Sequence, residues 1–239
     1  MLEDPLRDLS AALRAQGFAF APAAAMREAL GPFGVPPAWD AFAASWDDLG
    51  LDTYMADGGR YRCRRHAVFR AEPGAPILRE PHQPHWQSRD HNALNGGIQR
   101  WFDPVLPEIA DGAALQGIMG FCRALFERQS GAQDWKIEVH QFRIEARPDE
   151  AGKPTPEGAH RDGVDHVLVL MVARTNIAEG QTTIHGPDGA TLGSFTLTEP
   201  MDAALVDDHR VAHGVTPVRP LDPAQPARRD VLVVTFARR

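Results

Sequence analysis

From Trp135 onward, this 239-residue chain is a succession of short apolar runs cut by Gly, Pro and Asp. That punctuation constrains the fold more than anything else in the sequence. Residues 135–146 alternate between apolar and polar, as a half-buried strand does. Residues 164–173 are dense in Val and Leu and read as a strand buried on both faces. Further short strands are expected at 181–185, 191–198, 203–206, 210–218 and 230–237. They are separated by Gly186-Pro187-Asp188-Gly189, Glu199-Pro200 and Asp207-Asp208. Many short strands with turns at steady intervals predict a sandwich or a jelly-roll barrel.

The first half reads differently. Leu6, Leu9, Leu13 and Phe18 are spaced to line one face of a helix that Gly17 ends. An Ala-rich helix over 21–30 stops at Gly31-Pro32, and a third runs from 37 to about 49. Residues 61–70 form a cation-rich strand, and 104–128 return to helix. Residues 79–95, rich in Pro, His, Gln and Asn, have no period and are expected to be a long ordered loop. His82, His85, Gln87 and Asn92 would let that loop close over a site like a lid. No repeat or linker interrupts the chain, so the expectation is a single domain over 1–239. A helical layer (1–60) packs against a region with a β-barrel core (61–239), giving an α+β, mainly β fold.

Composition narrows the function. A formal charge of −7 argues against a nucleic-acid or anionic-membrane surface. The longest strongly apolar run, Val167–Ala173, is far short of the ~20 residues a spanning helix needs. Glu3 and Asp4 stand where a signal peptide would carry positive charge. The expectation is a cytoplasmic protein acting on a small molecule, with homo-oligomerisation left open. Two cysteines, Cys63 and Cys122, read as small hydrophobes rather than a disulfide framework. Beside ten histidines, they point any metal site towards imidazole and carboxylate ligands.

The informative segment is Gly158-Ala159-His160-Arg161-Asp162-Gly163. On a strand, residues i and i+2 share a face, so His160 and Asp162 would sit side by side. His213, about fifty residues on, can complete two histidines and one carboxylate on one face of an octahedron, leaving positions open for oxygen chemistry. Arg229 precedes Asp230 and the apolar strand 231–236, where a guanidinium suits bidentate capture of a carboxylate.

With these go Pro154-Thr155-Pro156-Glu157, Phe195-Thr196-Leu197-Thr198-Glu199-Pro200, Val206-Asp207-Asp208, Arg210-Val211-Ala212-His213-Gly214-Val215-Thr216-Pro217, Gln141-Phe142-Arg143-Ile144 and Asn95-Gly96-Gly97-Ile98-Gln99-Arg100. Together they resemble the bacterial 2-oxoglutarate/Fe(II)-dependent dioxygenases that include isoleucine dioxygenase, over roughly residues 60–239. The resemblance implies a double-stranded β-helix and Fe(II) held by His160, Asp162 and His213. It also implies 2-oxoglutarate bound through Arg229, and O2 as the oxidant. The reaction it implies is hydroxylation of a small substrate, a free L-amino acid, with release of succinate and CO2. Related halogenases lack the carboxylate, so Asp162 favours hydroxylation. The family would carry an aromatic residue where this chain has Arg228, so either arginine can face the site.

Other expectations concern contacts. Gln141 and Arg143 share a strand face and are candidates for substrate binding. Glu157 and Asp165 flank the metal motif and can hold a substrate ammonium or orient a ligand imidazole. Two alternatives to the oxygenase stand beside it. One is a cupin-like metal or small-molecule binding module without turnover; the other is a zinc hydrolase built on His160, Asp162 and His166. His209 and His213 have helical zinc spacing, but Gly214, Thr216 and Pro217 argue against a helix there. Asn95-Gly96-Gly97 lacks the Lys-Ser/Thr of a phosphate loop.

Overall fold

The computed structural model describes residues 5–92 and 94–239. The N-terminal acids therefore lie outside the described residues. Its frame is one large antiparallel sheet. Along that sheet run β1 (Phe18–Ala21), β10 (Ala203–Asp207), β6 (His166–Thr175), β13 (Ala227–Arg238), β5 (Trp135–Ala146), β3 (Arg62–Ala71) and β2 (Gly50–Leu51), with β4 (Leu78–Arg79) also pairing β3. A smaller sheet is ordered β11 (Ala212–Val215), β8 (Gln181–His185), β9 (Thr191–Thr196), and β12 (Val218–Pro220) pairs β7 (Ile177–Glu179). The fold is mainly β and jelly-roll-like.

Alternation assigns the two faces of the large sheet. On β5, Trp135, Ile137 and Val139 join the main apolar core, while Lys136, Glu138, His140, Phe142 and Ile144 line a cavity. On β13, Leu232, Val234 and Phe236 enter that core, while Arg229, Val231, Val233 and Thr235 face the cavity. A one-residue slip in register would exchange these sets.

The core face is covered by helices α1 (Pro5–Gln16), α2 (Ala23–Leu30), α3 (Trp39–Ala44), α4 (Pro107–Ala110) and α5 (Ala113–Ser130). Helix α5 buries Leu115, Ile118, Met119, Cys122, Leu125 and Phe126, a spacing that keeps one stripe against the sheet. Burying a side chain such as Phe126 stabilises the fold by about 1.5–3 kcal/mol.

Several expectations need correction. Phe18 does not continue the first helix. Gly17 turns at φ 80° and Phe18 opens β1, which pairs β10. A four-residue strand is too short to reveal a period and takes its identity from its partner. The helix expected over 37–49 is α3 flanked by 3-10 turns. The expected 104–128 helix begins instead with the short α4. The expected 210–218 strand is two strands, β11 and β12, in different sheets.

Candidate active site

The segment before β6 and strand β11 bring the expected metal ligands together. His160 and His213 exchange both backbone hydrogen bonds, 2.9 Å each. Their rings lie 4.7 Å apart. Asp162 Oδ1 is 3.6 Å from His160 Nε2 and its Oδ2 is 3.8 Å from His213 Nε2. The three donor atoms lie within 4.8 Å of one another, close enough to hold one metal ion. The carbonyl of Gly158 is 3.1 Å from His160 Nδ1, and accepting its proton would leave the Nε2 lone pair facing Asp162.

Asp208 shapes the turn that carries Asp162. Its carboxylate accepts the backbone N–H groups of Asp162, Gly163 and Val164 at 2.8–3.1 Å. Gln87, from the 79–95 loop, donates to the Asp162 carbonyl at 3.0 Å. Gly163 has φ 80°, and an added Cβ would meet the His91 ring at 2.5 Å, so both backbone and space require glycine here.

Electrostatics in this triad are tightly balanced. Burial opposes a charge on His160, but Asp162 and Glu157 outweigh it and raise its pKa to about 9. Burial also opposes ionisation of Asp162, yet the two imidazoles lower it to about 2. Burial and the nearby His160 push His213 down. Without a metal the site is thus an ionised carboxylate beside a protonated His160 and the His213 imidazole. A divalent metal that displaces the His160 proton would meet two imidazoles and a carboxylate, a donor set it favours.

The cavity has a volume of about 470 Å³. Arg229 lines it, 2 % exposed, and its Nε and Nη2 have no hydrogen-bond partner. Burial and Arg174 pull its pKa down to about 10, so it remains a cation at neutral pH. Arg228 points to the opposite face and pairs with Asp47 at 3.3 Å.

Gln141 and Arg143, read above as substrate contacts, face away from the cavity. They share a face, as expected, but it is the face towards the helical layer. Arg143 grips Asp230 through two 2.8 Å hydrogen bonds and reaches Asp47, while Gln141 donates to Ser45 Oγ at 2.8 Å. The alternate positions on the same strand, Glu138, His140 and Phe142, hold the cavity wall.

The remaining flanking residues separate in the same way. Asp165 is buried away from the cavity lining and bonds Arg238 and His209. Glu157 stays in the cavity, 3.5 Å from His160 Nδ1. His166 stacks on Phe126 in the core, with ring centroids 4.6 Å apart, and takes no part in the triad. That removes the zinc-hydrolase arrangement. His185 bonds Thr183 Oγ1. Of the 79–95 loop, His85, Gln87 and Asn92 line the cavity, while His82 packs on Trp101 instead.

Sequence reasoning missed a second wall of charge. Arg62 and Arg64 on β3 meet the buried Asp52 at 2.7 and 3.6 Å. Glu138 receives His85 Nδ1 at 2.5 Å and His66 Nε2 at 3.2 Å on one oxygen, and Lys136 on the other. His140 Nε2 lies 3.7 Å from the shared oxygen, and its Nδ1 is 2.6 Å from Arg64. Burial raises the pKa of Glu138, but the His66 and His85 hydrogen bonds overcome it and hold it ionised. Burial keeps His66, His85 (about 4) and His140 neutral. The sequence signal was alternation on the cation-rich strand β3 and on β5, whose cavity faces were unknown.

This fold and this pocket define a non-haem iron oxygenase. The model of the 2OG-Fe dioxygenase family matches residues 43–235, and the chain belongs to that family. It is 28% identical over 196 residues to 3(1)-hydroxy-L-isoleucine 4-dioxygenase of Pantoea ananatis (strain AJ13355), covering 80% of this chain and 77% of that one. Among solved structures, a bsmA homolog from Methylobium petroleophilum PM1 superposes with a TM-score of 0.88 at 38% identity, covering 98% of this chain and 93% of the other. IDO from Bacillus thuringiensis shares the fold, with a TM-score of 0.80 at 18% identity over 100% and 98% of the two chains. The protein is a 2-oxoglutarate-dependent dioxygenase that uses Fe(II), 2-oxoglutarate and O2. Among the described residues, no helix is long and apolar enough to cross a membrane.

Proposed function

We propose that the chain, working as one domain, hydroxylates a free L-amino acid, with His160, Asp162 and His213 holding Fe(II) and Arg229 holding the distal carboxylate of 2-oxoglutarate. One observation carries the assignment. Arg229 is a buried guanidinium whose Nε and Nη2 have no partner, and it opens into the same cavity as the triad. A buried cation without an anion is expensive, and the far carboxylate of 2-oxoglutarate, its other end held at the triad, would relieve that. Bound Fe(II) supplies the activation of O2 needed to hydroxylate an unactivated C–H bond.

The protein's part is binding and shielding. Gly158 and Asp208 hold the ligand residues in place. Val169, Val231, Val233 and Phe142 give the cavity an apolar wall suited to an aliphatic side chain. Its volume of about 470 Å³ accommodates a small substrate beside 2-oxoglutarate. The amino-acid reading draws support from the relative whose name specifies a hydroxylated isoleucine.

The test incubates the protein with Fe(II), 2-oxoglutarate, O2 and each proteinogenic amino acid. It follows succinate and a mass gain of one oxygen atom. Coupled formation of both with at least one amino acid is expected. Hydroxylation of a substrate that is not an amino acid, with none among the amino acids, overturns this reading.

A further inference from the structure

Arg100 is a second buried guanidinium with the anomaly of Arg229. It follows the long polar loop, is 2 % exposed, and lines the cavity. Its backbone is pinned by two 2.9 Å hydrogen bonds exchanged with His85. Its Nε and Nη2 are nonetheless buried without a partner. The acids of its wall are already engaged. Asp52 holds Arg62, Arg64 and the Tyr54 amide, and Glu138 holds Lys136 and the histidines. Glu157 is the complementary anomaly. It lines the same cavity, in the segment leading to His160, and its Oε2 is buried with no partner. Its charge acts on Arg100, yet no ion pair joins the two.

Resting on the amino-acid reading above, we infer that Arg100 and Glu157 form a clamp for a zwitterion, Arg100 taking the substrate α-carboxylate and Glu157 its α-ammonium. A guanidinium with two nitrogens free and a carboxylate with one oxygen free, facing one cavity, each in the other's field but not in contact, match a ligand carrying both charges on groups attached to one carbon. Arg229 serves a different carboxylate. Its charged neighbours are Arg174 and Asp230, whereas those of Arg100 are Arg62, Asp52, Glu157 and Glu138, so the two guanidinia occupy separate subsites. Glu157 lies 3.5 Å from the outer nitrogen of His160, which places the ammonium, and hence the Cα, near the metal ligands. The side chain is then left to run along the apolar wall of Val169, Val231 and Val233.

The experiment is anaerobic calorimetry on the Fe(II)- and 2-oxoglutarate-loaded protein, titrated with L-isoleucine, L-leucine and L-methionine. The primary amide, the N-acetyl derivative and the deaminated acid of each are titrated beside them. The wild type is expected to prefer the free amino acid over the amide by about 30-fold or more, and over the N-acetyl form by about tenfold. R100Q should erase the first preference and keep the second. E157Q should do the reverse, and 2-oxoglutarate affinity should be unchanged in R100Q. A merely structural role would weaken every ligand alike, and that result overturns the inference. So does amino-acid affinity unaffected by either substitution, which would leave the amino-acid reading standing. Conversely, a wild type that binds the deaminated acids but no amino acid, with that binding lost in R100Q, defeats the amino-acid reading and the Glu157 role while upholding Arg100. A fall in 2-oxoglutarate affinity in R100Q comparable to that in R229A would move Arg100 to the cosubstrate and overturn the clamp.

Discussion

Two groups of imidazole and carboxylate reach the same cavity with donors at similar spacing: His160, Asp162 and His213, and His85, Glu138 and His140 with His66 buried beside them. Their surroundings decide what each can do. In the first, the carboxylate oxygens stand 3.6 and 3.8 Å from the facing ring nitrogens, too long for good hydrogen bonds and open to an ion between them. In the second, Glu138 is within hydrogen-bond reach of His66 and His85, and Lys136 takes its other oxygen. Arg64 faces His140 Nδ1, which leaves the His140 proton on Nε2, towards Glu138, so that nitrogen has no lone pair to offer. A second ion there would also sit beside two cations. The histidine count is therefore a poor guide to a metal site, and the charge next to the donors is a good one.

The largest effect expected from this contrast is at the triad. His213→Ala should lower turnover at least about 100-fold, measured as succinate release, and near-normal turnover would break the ligand assignment. Next comes Arg229. R229A should weaken 2-oxoglutarate by about 2–5 kcal/mol, whereas R228A, on an exposed pair, should change it by less than about 1 kcal/mol. Equilibrium titration of 2-oxoglutarate measures both, and the reverse order would exchange their roles. At the second group, Glu138→Gln should remove the charge and leave a single accepting oxygen for His66, His85 and Lys136, which now share two, and lower unfolding stability by about 2 kcal/mol, read from denaturant midpoints. No stability change would mean the network is not structural.

The smallest effect is a slope with pH. Burial raises the pKa of Asp52, but Arg62 and Arg64 outweigh it and leave the folded value below the usual 3.8. The stability this group contributes is therefore complete above its unfolded pKa and lost as pH falls through the lower folded value. D52N should flatten the acid limb of stability against pH, and an unchanged limb would show that the pairing contributes nothing.

Much of this was legible before any coordinates. The strand series lies on segments whose period or punctuation is strong. The spacing of His160, Asp162 and His213 is weak by itself, and these three and Arg229 were expected through the family resemblance; the structure brings all four to one cavity. Gln141 and Arg143 show where legibility ends. Alternation correctly placed them together on β5 but cannot say which face meets the cavity, and the choice went against them. The partners that settle it, Asp230 and Ser45, are remote in sequence. Arg100 and Glu157 were equally hidden as a pair. A guanidinium becomes informative only when its neighbours' acids are seen to be engaged elsewhere. Asp208 read as a turn acid, and its three amide contacts to the Asp162 turn follow from the meeting of β10 with the metal segment.

The most direct test of the contrast is an anaerobic Fe(II) titration in the presence of 2-oxoglutarate, read by the visible absorption of the ternary complex, for wild type, D162A and E138Q. The account predicts saturation at one iron per chain in the wild type, retention in E138Q and loss in D162A. Two irons per chain, or a complex that survives D162A and disappears in E138Q, would contradict it.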